Sequence, residues 1–144
     1  MAVADLPQTV RYGLSLPTVP ASVPEARRRV RAELGAHGIG PDHPLTDTVL
    51  LVVSELVTNA VRHAAEHSPS TALGLTVGPD ELVVSVHDRH PHCPQALAVP
   101  HQDGSGGWGL GLVAELAEAL GGGMDSHADP DGGGKTMVVR LPLG

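Results

Sequence analysis

The chain has 144 residues and a net charge of −7, with 41% apolar residues but no Phe, one Tyr (Tyr12) and one Trp (Trp108). That length fits one domain, and its core must be close-packed from Val, Leu and Ala. The acidic balance argues against binding a phosphate backbone, and the scarcity of aromatics against a single-strand stacking platform. The one cysteine, Cys93, excludes an intramolecular disulfide and suits a reducing compartment. No charged segment leads into a long apolar stretch at the start, and no apolar run approaches bilayer length. The expectation is a cytoplasmic protein with no membrane role and no direct nucleic-acid role.

In chain order, residues 1–8 read as a loose tail, and residues 9–144 as a single domain. Residues 10–16 alternate as a strand, closed by Pro17 and Pro20. Ser22 and Glu25 have the spacing of a capping box, and a helix is predicted from there to about Gly35. Its cluster of Arg27, Arg28, Arg29 and Arg31 reads as a solvated face. A second helix is capped by Asp42 or Thr46 and runs to about Ala64. Apolar residues cover so much of its circumference that it must be mostly buried. Residues 71–77 and 82–86 alternate as strands around a turn of Gly78, Pro79, Asp80 and Glu81, forming a hairpin. Residues 89–107 lack any period and read as a long loop, of the kind that is usually functional. Residues 110–120 fit a third helix with one apolar face. Residues 124–128 and 136–141 read as two closing strands joined by a turn at residues 129–132.

The predicted order is β-α-α-β-β-loop-α-β-β. Hairpins alternate with helices and strict βαβ repetition is absent. That pattern argues for an α/β (α+β) fold with a mixed, mainly antiparallel sheet and helices covering one face.

The second helix carries the sharpest chemistry. Glu55 and Asn59 are four residues apart and project from one face, with Arg62 and His63 a turn further on. Such polar groups on an otherwise apolar helix are costly unless they share partners or ligands. Asn59 offers an amide oxygen suited to Mg²⁺, Glu55 can orient or deprotonate a hydroxyl, and Arg62 can meet phosphate oxygens. The structural alternative is a surface pair between Glu55 and Arg62 with Asn59 simply satisfied. Two further features favour the ligand reading. Asp88, at a strand end facing the long loop, can accept from an exocyclic amine such as adenine's. The segment Gly104, Ser105, Gly106, Gly107, Trp108, Gly109, Leu110, Gly111 leads into a helix, where backbone N–H groups can approach phosphate.

Taken together, these features resemble the GHKL superfamily of ATPases and kinases, over residues 9–142. Within it, the short single-domain form is similar to the anti-sigma factor serine kinases. Glu55 and Asn59 match the family's N box, and Asp88 matches the adenine-reading Asp of its first glycine box. Gly107, Trp108, Gly109 and Leu110 match the second glycine box, which Gly111 continues. Gly134, Lys135 and Thr136 match the closing Gly-Thr phosphate contact. The resemblance implies the two-layer Bergerat sandwich, with ATP between the central helix, the long loop and the third helix. It implies Mg²⁺ bridging the phosphates and Asn59, with Arg62 and His63 contacting phosphate and adenosine. It also implies a sigma factor and an anti-anti-sigma (STAS-type) protein as partners, and suggests a homodimer.

Two positions depart from the family pattern. The glycines that normally follow the Asp are replaced by His90 and His92. The Arg that often precedes or enters the second glycine box is absent, those positions holding Ser105, Gly106 and Trp108. Nucleotide binding is therefore better supported than phosphoryl transfer, and two readings stay open: a serine/threonine kinase with Glu55 as general base, and a non-catalytic ATP-dependent switch. A lesser alternative is a metal-binding regulator using His87, His90, His92 and Cys93.

Overall fold

The computed structural model describes residues 9–90 and 109–143. Its elements are β1 (Val10–Pro17), α1 (Ser22–Ala36), α2 (Thr46–Ala64), β2 (Ser70–Val77), β3 (Glu81–Asp88), α3 (Gly109–Ala119), β4 (Gly123–Ala128) and β5 (Lys135–Pro142). The order is the one the periodicities predict. The tail at residues 1–8 and most of the long loop, including Gly107, Trp108, His92 and Cys93, lie outside the described residues.

The five strands form one sheet in the order β1-β2-β3-β5-β4. Every pairing among the described strands is antiparallel, so the mixed sheet narrows to an antiparallel one. Strand alternation separates the two faces. Leu73, Leu75 and Val77 of β2, Leu82, Val84 and Val86 of β3, and Met137, Val139 and Leu141 of β5 are buried. Their neighbours Gly74, Thr76, Val83, Ser85, Thr136 and Val138 are only partly covered. The helices thus pack on one face. They add Val30 and Leu34 from α1, Val49, Val53 and Leu56 from α2, and Val113 from α3 to the same core. Each such side chain contributes about 1.5–3 kcal/mol on full burial, so a core without Phe reaches stability through number.

α2 is the central helix, packing on α1, α3, β2 and β3. Arg27 fastens α1 to it, donating to Ser54 Oγ at 2.6 Å and to the Leu50 carbonyl at 3.3 Å. One member of the basic cluster is therefore a helix-to-helix tie and not part of a solvated face. The predicted capping box does not form. Ala21 is the N-cap, Ser22 Oγ donates back to the Pro17 carbonyl at 2.6 Å, and Glu25 pairs with Arg28. The tight β1–α1 connection turns the Ser22 hydroxyl toward the strand the chain has just left, so Ser22 opens the helix without capping it. α1 ends as expected: Gly38 has φ +82 and the Ile39 N–H reaches back to the Leu34 carbonyl at 2.9 Å, a closure favoured by glycine at the left-handed position. α2 begins at Thr46 without a side-chain cap, and Thr46 Oγ1 donates to the Gly40 carbonyl instead.

Candidate functional site

Glu55 sits in the middle of α2, where it is 8% exposed, on a helix whose other buried residues are nearly all aliphatic. Asn59, one turn on, is half-buried, and Arg62 and His63 are exposed. The polar stripe therefore runs from the interior outward toward the C-terminal end of the helix. α3 packs beside α2, with Gly109 at φ +72 and with Gly109, Leu110 and Gly111 all buried.

The register of β3 on β5 sets Asp88 opposite Lys135. Both belong to the inner face: Asp88 continues the buried series Leu82, Val84, Val86, and Lys135 opens the series Met137, Val139, Leu141. Lys135 Nζ donates to both oxygens of Asp88, each at 2.9 Å, and each side chain is 1% exposed. Asp88 Oδ1 also accepts from the His90 backbone N–H at 2.8 Å. The Arg89 N–H donates to Ser68 Oγ at 2.9 Å, and Ser68 Oγ donates to the Ser70 carbonyl at 2.7 Å. The His90 bond satisfies the backbone N–H at the first of the two positions where the family pattern has glycine. No non-glycine residue among those described has a positive φ, so the substituted segment through Arg89 and His90 is unstrained.

Lys135 and Thr136 lie on opposite faces of β5. The period of two puts Lys135 inward and Thr136 outward, where it pairs in register with His87. Of the Lys-Thr pair predicted to contact phosphate, the inward residue is Lys135, and its ammonium is committed to Asp88. The signal was present in the apolar alternation of β5; only the partner across the sheet was not.

Gly134 has a steric role. A Cβ there would strike Asp129 Oδ2 and would stand 2.6 Å from the Asp88 carbonyl oxygen. Glycine is what allows the β4–β5 turn to close against the end of β3. The same corner carries a polar cluster. Asp129 Oδ2 meets His87 Nε2 at 2.9 Å and Arg89 Nη1 at 3.0 Å, and Arg89 Nη2 reaches Asp131 at 3.3 Å. His87 is thus engaged with a carboxylate and His90 stacks edge-on against His67. Among the described residues no group of His, Cys, Asp and Glu is arranged to hold a metal. His92, Cys93 and Gly107 fall outside the description.

The family model for the histidine kinase-like ATPase domain matches residues 16–141. The chain belongs to this family. The fold of the histidine kinase-like ATPase domain recurs in solved structures. The crystal structure of the RsbU and RsbW domains of Rv1364c from Mycobacterium tuberculosis is similar at TM-score 0.63 and 20% identity, over 92% of this chain and 33% of that one. The Acinetobacter baumannii histidine kinase AdeS is similar at TM-score 0.52 and 13% identity, over 92% and 68%. The histidine kinase domain of the Erythrobacter litoralis EL346 blue-light activated histidine kinase is similar at 0.50 and 20%, over 89% and 62%. The chain therefore spans one third of the first of these proteins and somewhat under or over two thirds of the others. No curated protein matches it. No described helix is long and apolar enough to cross a membrane.

The two ends of the family's nucleotide site differ in how well these residues suit ATP and Mg²⁺. At the phosphate end the donor set is suitable: an amide oxygen on Asn59 for a hard cation, the Glu55 carboxylate one turn away, and glycines opening α3. At the base end it is not. A carboxylate offers about four lone-pair sites. Lys135 and the His90 N–H already use both oxygens of Asp88, and the group is 1% exposed.

Proposed function

We propose that this chain is a Mg-ATP-binding regulator that works through protein partners, as an anti-sigma factor that phosphorylates a serine or threonine of an anti-anti-sigma (STAS-type) antagonist. The observation that carries the reading is the near-complete burial of Glu55 in the middle of α2 with Asn59 one turn on, in a histidine kinase-like ATPase domain. A carboxylate at a buried position on the central helix, on the same stripe as an amide, is the kind of placement that marks a functional group. Asn59 would ligate Mg²⁺, and the N-terminal turn of α3, from Gly109 through Leu110 to Gly111, would face phosphate oxygens together with Arg62 and His63. Mg²⁺ would supply charge neutralisation at the phosphates. Glu55 would take the proton of the acceptor hydroxyl as general base.

A second reading, a binding switch without phosphoryl transfer, is favoured by the absence of any Arg between Gly104 and Gly111. A cation placed there in related chemistry contributes roughly 10³–10⁵ in rate. Calorimetric titration with ATP and Mg²⁺, followed by phosphotransfer to an anti-anti-sigma protein shown to bind the chain, decides between them. For the kinase, transfer is expected to be slow but measurable, and lost in Glu55→Gln with ATP affinity retained. Tight ATP binding with no transfer to a verified partner supports the switch, and transfer at an unchanged rate in Glu55→Gln removes the general-base role.

A further inference from the structure

We infer that Lys135 is the residue that sets base recognition in this chain: its ammonium occupies the carboxylate of Asp88, so a nucleotide base reaches that carboxylate only by displacing Lys135. The inference rests on the nucleotide-site reading above and concerns its base end. Asp88 stands at the inner end of β3, where a carboxylate can read an exocyclic amine. Yet both of its oxygens accept from Lys135 Nζ at 2.9 Å, Oδ1 accepts again from the His90 N–H, and neither side chain exceeds 1% exposure. An ammonium with three donors and a flexible stem competes directly with an amine donor for the same lone pairs. Both donors would meet an ionised acceptor, but only the ammonium adds a full opposite charge, so the internal donor holds the position until a ligand offers more elsewhere.

The geometry excludes a role for Lys135 at the phosphates in this arrangement. Its side chain lies along the inner face of the sheet, and its cross-strand neighbour is Asp88. The backbone leaves little freedom to redirect it. Gly134, which precedes Lys135, is clamped against Asp129 and the Asp88 carbonyl, and the Asp129 N–H donates to the Gly134 carbonyl at 2.9 Å. Opening the pair therefore requires a rotamer change in Lys135 with the strand held in place. It costs most where the displacing group is weakest, and it costs nothing for a ligand that engages only Glu55, Asn59 and the start of α3.

Lys135 is the only lysine in the chain, which makes the inference directly readable. With ¹⁵N-labelled lysine, this chain has a single side-chain ammonium resonance. In the free protein that resonance is expected to be sharp and protected from solvent exchange. Saturating Mg-ATP is expected to shift it and remove its protection, and Mg-tripolyphosphate, which lacks a base, to leave it in place. In parallel, Lys135→Thr is expected to tighten ATP binding at least tenfold while changing GTP binding less than twofold, because the freed carboxylate then reads the adenine amine. Lys135→Met combined with Asp88→Asn removes both charges, and is expected to show neither the gain nor the adenine preference. Mg-ATP bound at saturation with the lysine resonance unmoved would overturn the inference while leaving the nucleotide-site reading intact. ATP affinity that is unchanged or lower in a folded Lys135→Thr protein would do the same. Absence of binding by ATP and by tripolyphosphate in all three proteins would overturn both.

Discussion

Replacing Lys135 with Met is the perturbation whose size follows most directly from the structure. Lys135 and Asp88 are each 1% exposed and share two bonds of 2.9 Å. Met matches the length of the lysine stem and keeps most of its packing, so the change isolates the ammonium. What remains is a carboxylate out of water with one backbone donor, the His90 N–H. Breaking a buried pair by removing one partner costs about 3–5 kcal/mol, because the surviving charge is uncompensated. Against a total stability of about 5–15 kcal/mol for an ordinary domain, that is a large share. With a urea slope of about 1–3 kcal/mol per molar, the unfolding midpoint falls by roughly 2 M. Adding Asp88→Asn to Lys135→Met removes the stranded charge, and the amide oxygen still accepts from His90. Replacing both members of such a pair by neutral groups is often close to neutral in cost. The double variant is therefore expected to regain most of the loss, with a coupling of about 2 kcal/mol or more in the cycle. Urea unfolding followed by far-ultraviolet circular dichroism measures all four corners. A Lys135→Met protein within about 1 kcal/mol of the parent would show the ammonium to be dispensable, and the electrostatic account of this corner would fail. A double variant as unstable as the single one would refute it equally, since the cost would then lie in packing and not in charge.

Asn59→Ala is expected to abolish Mg-dependent ATP binding while preserving helical content, because alanine is the better helix former; calorimetry with and without Mg²⁺ and a dichroism spectrum test the two halves. Gly134→Ala drives a Cβ into Asp129 Oδ2 and the Asp88 carbonyl, and is expected to cost about 1–3 kcal/mol, seen as a lowered thermal midpoint. Asp131 is held below its usual carboxylate range, first by the Gly133 N–H and then by Arg89. A lowered folded-state value means its contribution is present above the ordinary range near 3.8 and is lost as the pH falls through the folded value. The stability gap between the parent and Asp131→Asn is thus expected to hold at neutral pH and to close under acid titration. A gap that widens on acidification would contradict that sign.

Much of this protein is legible in one dimension. Periods of two and of 3.6 along β2, β3, β5, α2 and α3 name the element types, because burial of one face is what those elements need. The spacing of Glu55 and Asn59 places both on one helical stripe for the same local reason. Local signals misled where a neighbour in space competed for the same group. Ser22 has the spacing of a capping residue, but the Pro17 carbonyl takes its hydroxyl. Arg27 sits in a charge cluster, but Ser54 on the adjoining helix takes its guanidinium. The pairing of Asp88 with Lys135 was decided in three dimensions alone. Asp88 and Lys135 are 47 residues apart, and each by itself suggests a ligand: an amine for the one, a phosphate for the other. Only the register of β3 on β5 sets them side by side on the buried face. There, low polarity makes an unpaired charge so costly that the two side chains satisfy each other.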